Sequence, residues 1–190
     1  MKPFVAALAC LAAALSIAPA RGAGYFIDAT HTFVSFEVLH LGMSTSRGRF
    51  DKSGGTLKFD RAARQGRVEI TIDTSSINTG VPALDKELRG AEFFDADKHP
   101  SARFVADRFV FNGDQVAEVA GSLTLLGKTL PLTLKAMRFN CYPHPFLKRE
   151  ACGGDFEATI QRTLWGMNTY APDLVSDAVR LLVQIEAIRQ

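Results

Sequence analysis

The side chains able to hold a metal or move a proton at neutral pH are few: His31, His40, His99 and His144, with Cys10, Cys141 and Cys152 as the thiols. An imidazole does such chemistry in company, within a compact ligand set or beside a nucleophile. The spacing here supplies no company. His99 and His144 each precede a proline, which marks loop or turn positions. His31 and His40 bracket one alternating run and lie far apart when that run is extended. No Gly-x-Ser-x-Gly elbow, phosphate loop, dinucleotide fingerprint or His-Glu-x-x-His pair occurs. The sequence is therefore read as a non-enzyme, with no catalytic residue, no metal ligand and no cofactor.

Thiol chemistry depends on the compartment, and the N-terminus addresses it. Lys2, an apolar stretch over 4–17 and the small residues Ala18, Ala20 and Gly22 form the pattern of a secretory signal peptide, cut after Ala20 or Gly22. The apolar run is too short for a confident membrane span. Residues 1–22 are read as the leader and 23–190 as one exported domain, with the periplasm as its compartment. Cys10 sits inside the apolar stretch and matches a lipidation box poorly. Cys141 and Cys152 are then the mature cysteines, and oxidising surroundings predict a disulfide that pins the loop 142–151. Of 22 Lys and Arg residues, Lys2 and Arg21 leave with the leader, so 20 remain against 20 Asp and Glu. A neutral surface without basic clusters argues against nucleic acid.

The elements that must position any site are strands. Period-2 alternation runs through Val34, Phe36 and Val38, then Leu57 and Phe59, then Val68, Ile70 and Ile72, then Ala102, Phe104 and Ala106. It continues in Val119 to Leu125, Leu130 to Leu134, Phe156 to Ile160 and Val179 to Ile185. Turn signals stand between these runs: Ser53-Gly54-Gly55, Gln65-Gly66, Asn112-Gly113-Asp114 and Gly127-Lys128. Pro82 to Arg89 reads as a short helix with Gly90 after its end. About eight sequential antiparallel strands predict an all-β fold, either a sandwich or a closed barrel able to hold one ligand.

In a barrel one apolar face turns inward. That face consists of Val34, Phe36, Val38, Val68, Ile70, Ile72 and Phe104 from the first half of the chain. The second half adds Leu123, Leu125, Leu132, Leu134, Phe156, Ile160, Leu181 and Val183. Trp165, just before the last strand, is either core or cavity wall. His40 keeps the inward register, either as a hydrogen-bonded barrel-end histidine or as a contact for a lipid head group. Arg47 and Arg49 are either a solvated turn or a site facing an anionic head group.

Ordered segments of the chain resemble the YceI-like, polyisoprenoid-binding proteins. The opening strand Asp28-Ala29-Thr30-His31-Thr32 with Val34, Phe36, Val38 and His40 carries the likeness, followed by Gly48-Arg49-Phe50. Leu88-Arg89, Phe93-Phe94-Asp95, His99-Pro100 and Phe104 continue it. The hairpin Gly121-Ser122-Leu123-Thr124-Leu125 with Gly127, Thr129 and Pro131-Leu132 follows, then Arg162, Gly166-Met167 and Ser176-Asp177. The stretch Cys141 to Cys152 is similar to a cysteine-bearing loop of a family subset. The resemblance spans about residues 25–188. It implies an extended lipocalin-like barrel with a helical insertion. It also implies a tunnel for a long isoprenoid lipid, such as a polyprenyl phosphate or a quinone tail, and no catalysis. The expected partner is that lipid; the chain is not read as membrane-spanning, and transient membrane contact and a homodimer stay open. Two rivals remain: a secreted interaction sandwich with an exposed apolar patch, and a barrel isomerase or hydrolase with a buried carboxylate or histidine beside a polar cavity.

Protein recovered from the periplasm should begin near Arg21 or Ala23 on N-terminal sequencing; a start at Met1 contradicts the reading of residues 1–22 as a leader.

Overall fold

The computed structural model describes residues 22–190, so the leader read over 1–22 lies outside the described residues except for Gly22. The first strands are β1 (Ala23–Ile27), β2 (Phe33–His40), β3 (Ser44–Phe50), β4 (Ser53–Asp60), β5 (Gln65–Asp73) and β6 (Ile77–Asn78). Helix α1 (Pro82–Arg89) follows, then β7 (Ser101–Asn112), β8 (Gln115–Leu125), β9 (Lys128–Pro143), β10 (Glu150–Gln161) and β11 (Val175–Arg189).

These strands make eight antiparallel staves, because β1 and β2 form one interrupted stave, as do β3 with β4 and β5 with β6. The last stave closes the ring. β11 pairs with β1 through Ile27 opposite Ala187 and with β2 through Val34 opposite Val183. The result is a closed up-and-down barrel, which removes every long exposed edge.

The interruptions have local causes. Between β1 and β2 the Asp28 carboxylate accepts from the Thr30 amide at 2.9 Å, the Thr30 hydroxyl at 2.6 Å and His31 Nδ1 at 2.9 Å. Those bonds, the Thr30 hydroxyl first, hold the Asp28 carboxyl down to about 2. The buried Thr32 accepts from the Glu186 amide at 3.2 Å and so ties the break to β11. Between β5 and β6 a 3-10 turn over Thr74–Ser76 seats the buried Thr74, whose hydroxyl donates to His99 O at 2.6 Å. Beyond these breaks β6 pairs only with β3, while β7 pairs with β5, so the ladder parts between β6 and β7. Helix α1 occupies that part of the chain. Asp85 fastens it to the end of β6 by accepting from the Thr79 amide at 2.7 Å and its hydroxyl at 2.6 Å.

Three local readings of the sequence need correction. Ser53-Gly54-Gly55 is not a turn but the start of β4. A Cβ on Gly55 would stand 1.9 Å from Glu69 O, so glycine there permits close strand pairing. The β8–β9 turn is Leu126-Gly127 rather than Gly127-Lys128, with both residues at positive φ as an inverted hairpin turn requires. Gln65-Gly66 is not a turn either but the start of β5, with Gln65 opposite Asp60 and Gly66 opposite Phe59; the turn is 61–64.

Cys141 and Cys152 stand directly opposite on β9 and β10 and form a disulfide, with Cα atoms 4.1 Å apart. It staples a hairpin end whose loop is 144–149, shorter than the loop read from the sequence. Unfolding the unreduced mature protein should expose no titratable thiol. Replacing both cysteines by serine should lower stability by about 3 kcal/mol in a urea titration, the chain-entropy value for a loop this short.

Candidate functional site

Closing the sheet sends alternate side chains into one interior, and these leave two apolar chambers. The upper one, about 120 Å³, is lined by Val34, Phe36 and Val38 of β2, Phe50 of β3, Ile72 of β5 and Ala102 of β7. Its wall continues through Leu123 and Leu125 of β8, Ile160 of β10, and Val175, Val179 and Leu181 of β11. Leu88, Phe93 and Phe94, from α1 and the turn after it, cover the side where the ladder parts. The lower chamber, about 50 Å³, is lined by Leu57, Val68, Ile70, Phe104, Phe109, Val119 and Leu134. Phe139, Cys152, Gly153, Phe156, Val183, Ile185 and Ala187 complete it.

The chambers are successive levels of one column. Ile72 and Ile70 on β5, Ala102 and Phe104 on β7, and Leu123 and Val119 on β8 each give one residue to the upper level and one to the lower. Ile160 and Phe156 on β10 and Leu181 and Val183 on β11 do the same. Ala158 on β10 falls between the two levels. The inward set read from the sequence lines one chamber or the other, apart from Leu132 and Trp165. Both are buried, but neither borders a chamber. Trp165 instead donates its indole N–H to Leu123 O at 3.3 Å.

Four features of the interior escaped the sequence reading. Phe109 and Phe139 face inward because β7 slips register between Ala106 and Arg108, and β9 against β10 near Phe156. A strict period-2 reading turns both outward. With Phe59 and Phe111 they make an aromatic floor, ring centroids of Phe59 lying 5.7 Å from Phe109 and 5.8 Å from Phe139. Leu88, Phe93 and Phe94 sit outside any strand. Gly48 is the inward residue opposite Phe36, and a Cβ there would stand 2.4 Å from the Phe36 ring; the ring fills the space that glycine leaves.

The fourth feature is Arg162, the only polar side chain among the described residues that line the upper chamber. It is 3% exposed. The 3-10 turn Arg162–Trp165 continues β10 and turns this side chain inward at the start of β11. Nε donates to Ser176 O at 3.1 Å, one terminal nitrogen to Met167 O at 3.1 Å and the other to Val175 O at 3.2 Å. Burial lowers its pKa from the ordinary arginine value, and Asp177 opposes that shift. Guanidinium has five N–H donors, so two remain beyond these three bonds. Its motif signal was present as Arg162 with Gly166-Met167 and Ser176-Asp177, but a lone arginine gives no hint of burial.

The residues read as head-group contacts stand elsewhere. Arg47 and Arg49 flank Gly48, so the pleat sends both to the outer face. There Arg47 pairs with Glu37 at 2.8 Å, and Arg49 pairs with Asp51 at 2.7 Å and lies over the Phe33 ring. His40 keeps the inward parity of β2 but is exposed at the strand's end, beyond the chamber lining. The buried carboxylate Asp85 is committed to Thr79, and no three His, Cys, Asp or Glu side chains converge among the described residues.

Comparison with known proteins agrees with this architecture. The model of the YceI-like domain family matches residues 25–187. A protein of Pseudomonas aeruginosa designated a UPF0312 protein is 35% identical over 195 residues, covering the whole of both chains. The crystal structure of BcnA from Burkholderia cenocepacia superposes with a TM-score of 0.68 at 23% identity, over 84% of this chain and 98% of that one. A polyisoprenoid binding domain from Saccharophagus degradans superposes with a TM-score of 0.63 at 16% identity, over 87% of this chain and 98% of that one.

Changing Arg162 to methionine should strand one buried and two part-buried carbonyls and lower stability by about 2–3 kcal/mol, read as an earlier urea midpoint at unchanged slope. Lysine should recover little of it, because a single ammonium cannot reproduce the planar three-way fork.

Proposed function

The chain belongs to the YceI-like family, and from that premise we propose that it is an exported, non-catalytic carrier of a long isoprenoid lipid. The lipid is a polyprenyl phosphate or an isoprenoid quinone, held along the barrel axis. One observation carries the reading: two apolar chambers stacked on the same staves, with one polar side chain in their walls. The Saccharophagus degradans neighbour, a polyisoprenoid binding domain by name, supports it at the level of the shared fold.

The dimensions favour a thin ligand. Both chambers are smaller than the roughly 300–1,000 Å³ of ordinary small-molecule pockets. A compact sterol-like body does not fit such a column, whereas a linear chain can thread it as the lining rotamers turn aside. Each buried methylene contributes about 0.8 kcal/mol, so even a few isoprene units offset substantial ordering losses. A neutral protein with an apolar bore suits a compartment where such a lipid is otherwise insoluble, and the periplasm is that compartment.

Lipid extracted from protein purified without detergent should contain a long isoprenoid by mass spectrometry. Ala158→Trp places an indole between the two levels and should abolish that binding while circular dichroism shows the barrel intact. A solid interior predicts instead a loss of about 1–3 kcal/mol of stability from overpacking and no lipid to displace. Protein that carries no isoprenoid and binds none when it is added removes the carrier function in favour of the interaction-module reading.

A further inference from the structure

The disulfide-stapled end of the β9–β10 hairpin presents a surface that lipid storage does not require. The tip 144–149 carries Phe146, which is 87% exposed, and Leu147, which is 48% exposed. A singly exposed apolar side chain is ordinary, but Phe146 and Leu147 share this tip with Tyr142, which is 45% exposed, and clustered exposed apolar surface marks a contact site. This tip is also pre-formed rather than loose. His144 Nδ1 accepts from the Phe146 and Leu147 amides at 3.3 and 3.2 Å, and the His144 amide donates to Arg149 O at 2.7 Å. The rings of Tyr142, His144 and Phe146 follow one another at 6.2 and 6.0 Å, and Cys141–Cys152 clamps the base.

Lys148 and Arg149 follow the apolar pair, and neither enters an ion pair among the described residues. Glu150 follows them and accepts from the Tyr25 hydroxyl, so on a chain whose 23–190 part is neutral the hairpin end keeps a net positive charge beside exposed apolar surface. We propose that the 144–149 tip docks on an anionic phospholipid bilayer. Phe146 and Leu147 enter the acyl boundary while Lys148 and Arg149 lie among the phosphates. The other end of the barrel also exposes apolar residues, Leu41, Met43 and Leu174, but the charged groups that share a surface groove with Leu41 and Leu174 are Asp173 and Asp177. That charge suits an anionic surface poorly, so the orientation is fixed with the hairpin toward the membrane.

The position of the tip gives docking a purpose. A groove of about 440 Å³ on the outer face beside the hairpin runs past Tyr142 and the exposed Arg138–Asp155 pair, and its wall residues Phe139, Cys152, Gly153 and Ile185 also border the lower chamber. Docking brings that end of the column against the lipid phase. Loading from the membrane rests on the carrier reading above; docking itself does not, because phospholipid alone suffices for it.

The test sediments the mature, oxidised protein with vesicles that contain no isoprenoid, either phosphatidylcholine alone or phosphatidylcholine with phosphatidylglycerol. Binding should require phosphatidylglycerol and weaken as salt rises. The pairs Phe146→Ser with Leu147→Ser, and Lys148→Gln with Arg149→Gln, should each weaken it about tenfold or more. All four positions are exposed, so urea midpoints should stay at the wild-type value. Met43→Ser at the opposite rim should change nothing. No binding to phosphatidylglycerol vesicles, binding unaltered by both hairpin pairs, or binding lost through Met43→Ser overturns the proposal. Isoprenoid recovered from a protein that ignores such vesicles leaves the carrier function standing and removes this surface.

Discussion

Closure of the sheet between β11 and the β1–β2 stave is the constraint from which the rest follows. Once eight staves form a ring, backbone donors and acceptors in its fully paired part have a neighbour on each side. Each residue then faces either inward or outward, with no intermediate choice. The outer face can carry ion pairs such as Arg180 with Glu37 and Glu157. The inner face must be apolar, because a side chain there has no water to turn to. Whether the interior is solid or hollow is then set by residue size. Small residues such as Ala102 and Ala158 stand among Phe36, Phe50, Phe104 and Phe156, and the column is the space that this mixture leaves.

The ring is complete only in its lower part. Above the breaks at 28–32, 51–52 and 74–76, β6 and β7 are not paired with each other, and the wall there is α1 with the turn that carries Phe93 and Phe94. Two strands joined by a full ladder separate only by breaking several hydrogen bonds together. A helix held by side-chain packing and the Asp85–Thr79 bonds can shift as a unit. The upper chamber is therefore bounded on one side by the least cross-linked wall of the barrel. The lower chamber is bounded by an aromatic floor and a disulfide-stapled hairpin. The two ends are mechanically unlike, and that asymmetry gives the column a direction.

Alternation made the fold legible, and interruptions of alternation hid part of the site. Val34, Phe36 and Val38, or Val68, Ile70 and Ile72, announce both strand and inward face, because a period of two has no other common source. Where a bulge inserts one residue the parity reverses, and Phe109 and Phe139 could not be placed from spacing alone. Strand β3, Ser44–Phe50, was invisible for a different reason: its inward positions include Ser46 and Gly48, so its apolar face is supplied by the Phe36 ring from the neighbouring stave. Arg47 and Arg49 stood open between a solvated turn and a head-group site in one dimension, and the pleat commits them to Glu37 and Asp51 outside. Arg162 was the converse case, since nothing in a lone arginine reveals that three carbonyls 5–14 residues away will enclose it.

Arg162 also constrains which ligands such a column can accept. A guanidinium in an apolar wall is tolerable only while its charge is spread over polar neighbours. Here those neighbours are three backbone carbonyls, which offer dipoles but no full negative charge, while Asp177 spends its carboxylate on the Thr163 amide and hydroxyl at 2.9 Å each. Two N–H donors are left over. A purely hydrocarbon guest would bury this end without answering it. A guest whose chain ends in an oxygen acceptor would answer it at the upper level while its methylenes fill the levels below. On the carrier reading proposed above, such a wall would favour an amphiphile with one polar end over a uniform oil, with that end beside the helix-covered wall rather than at the aromatic floor.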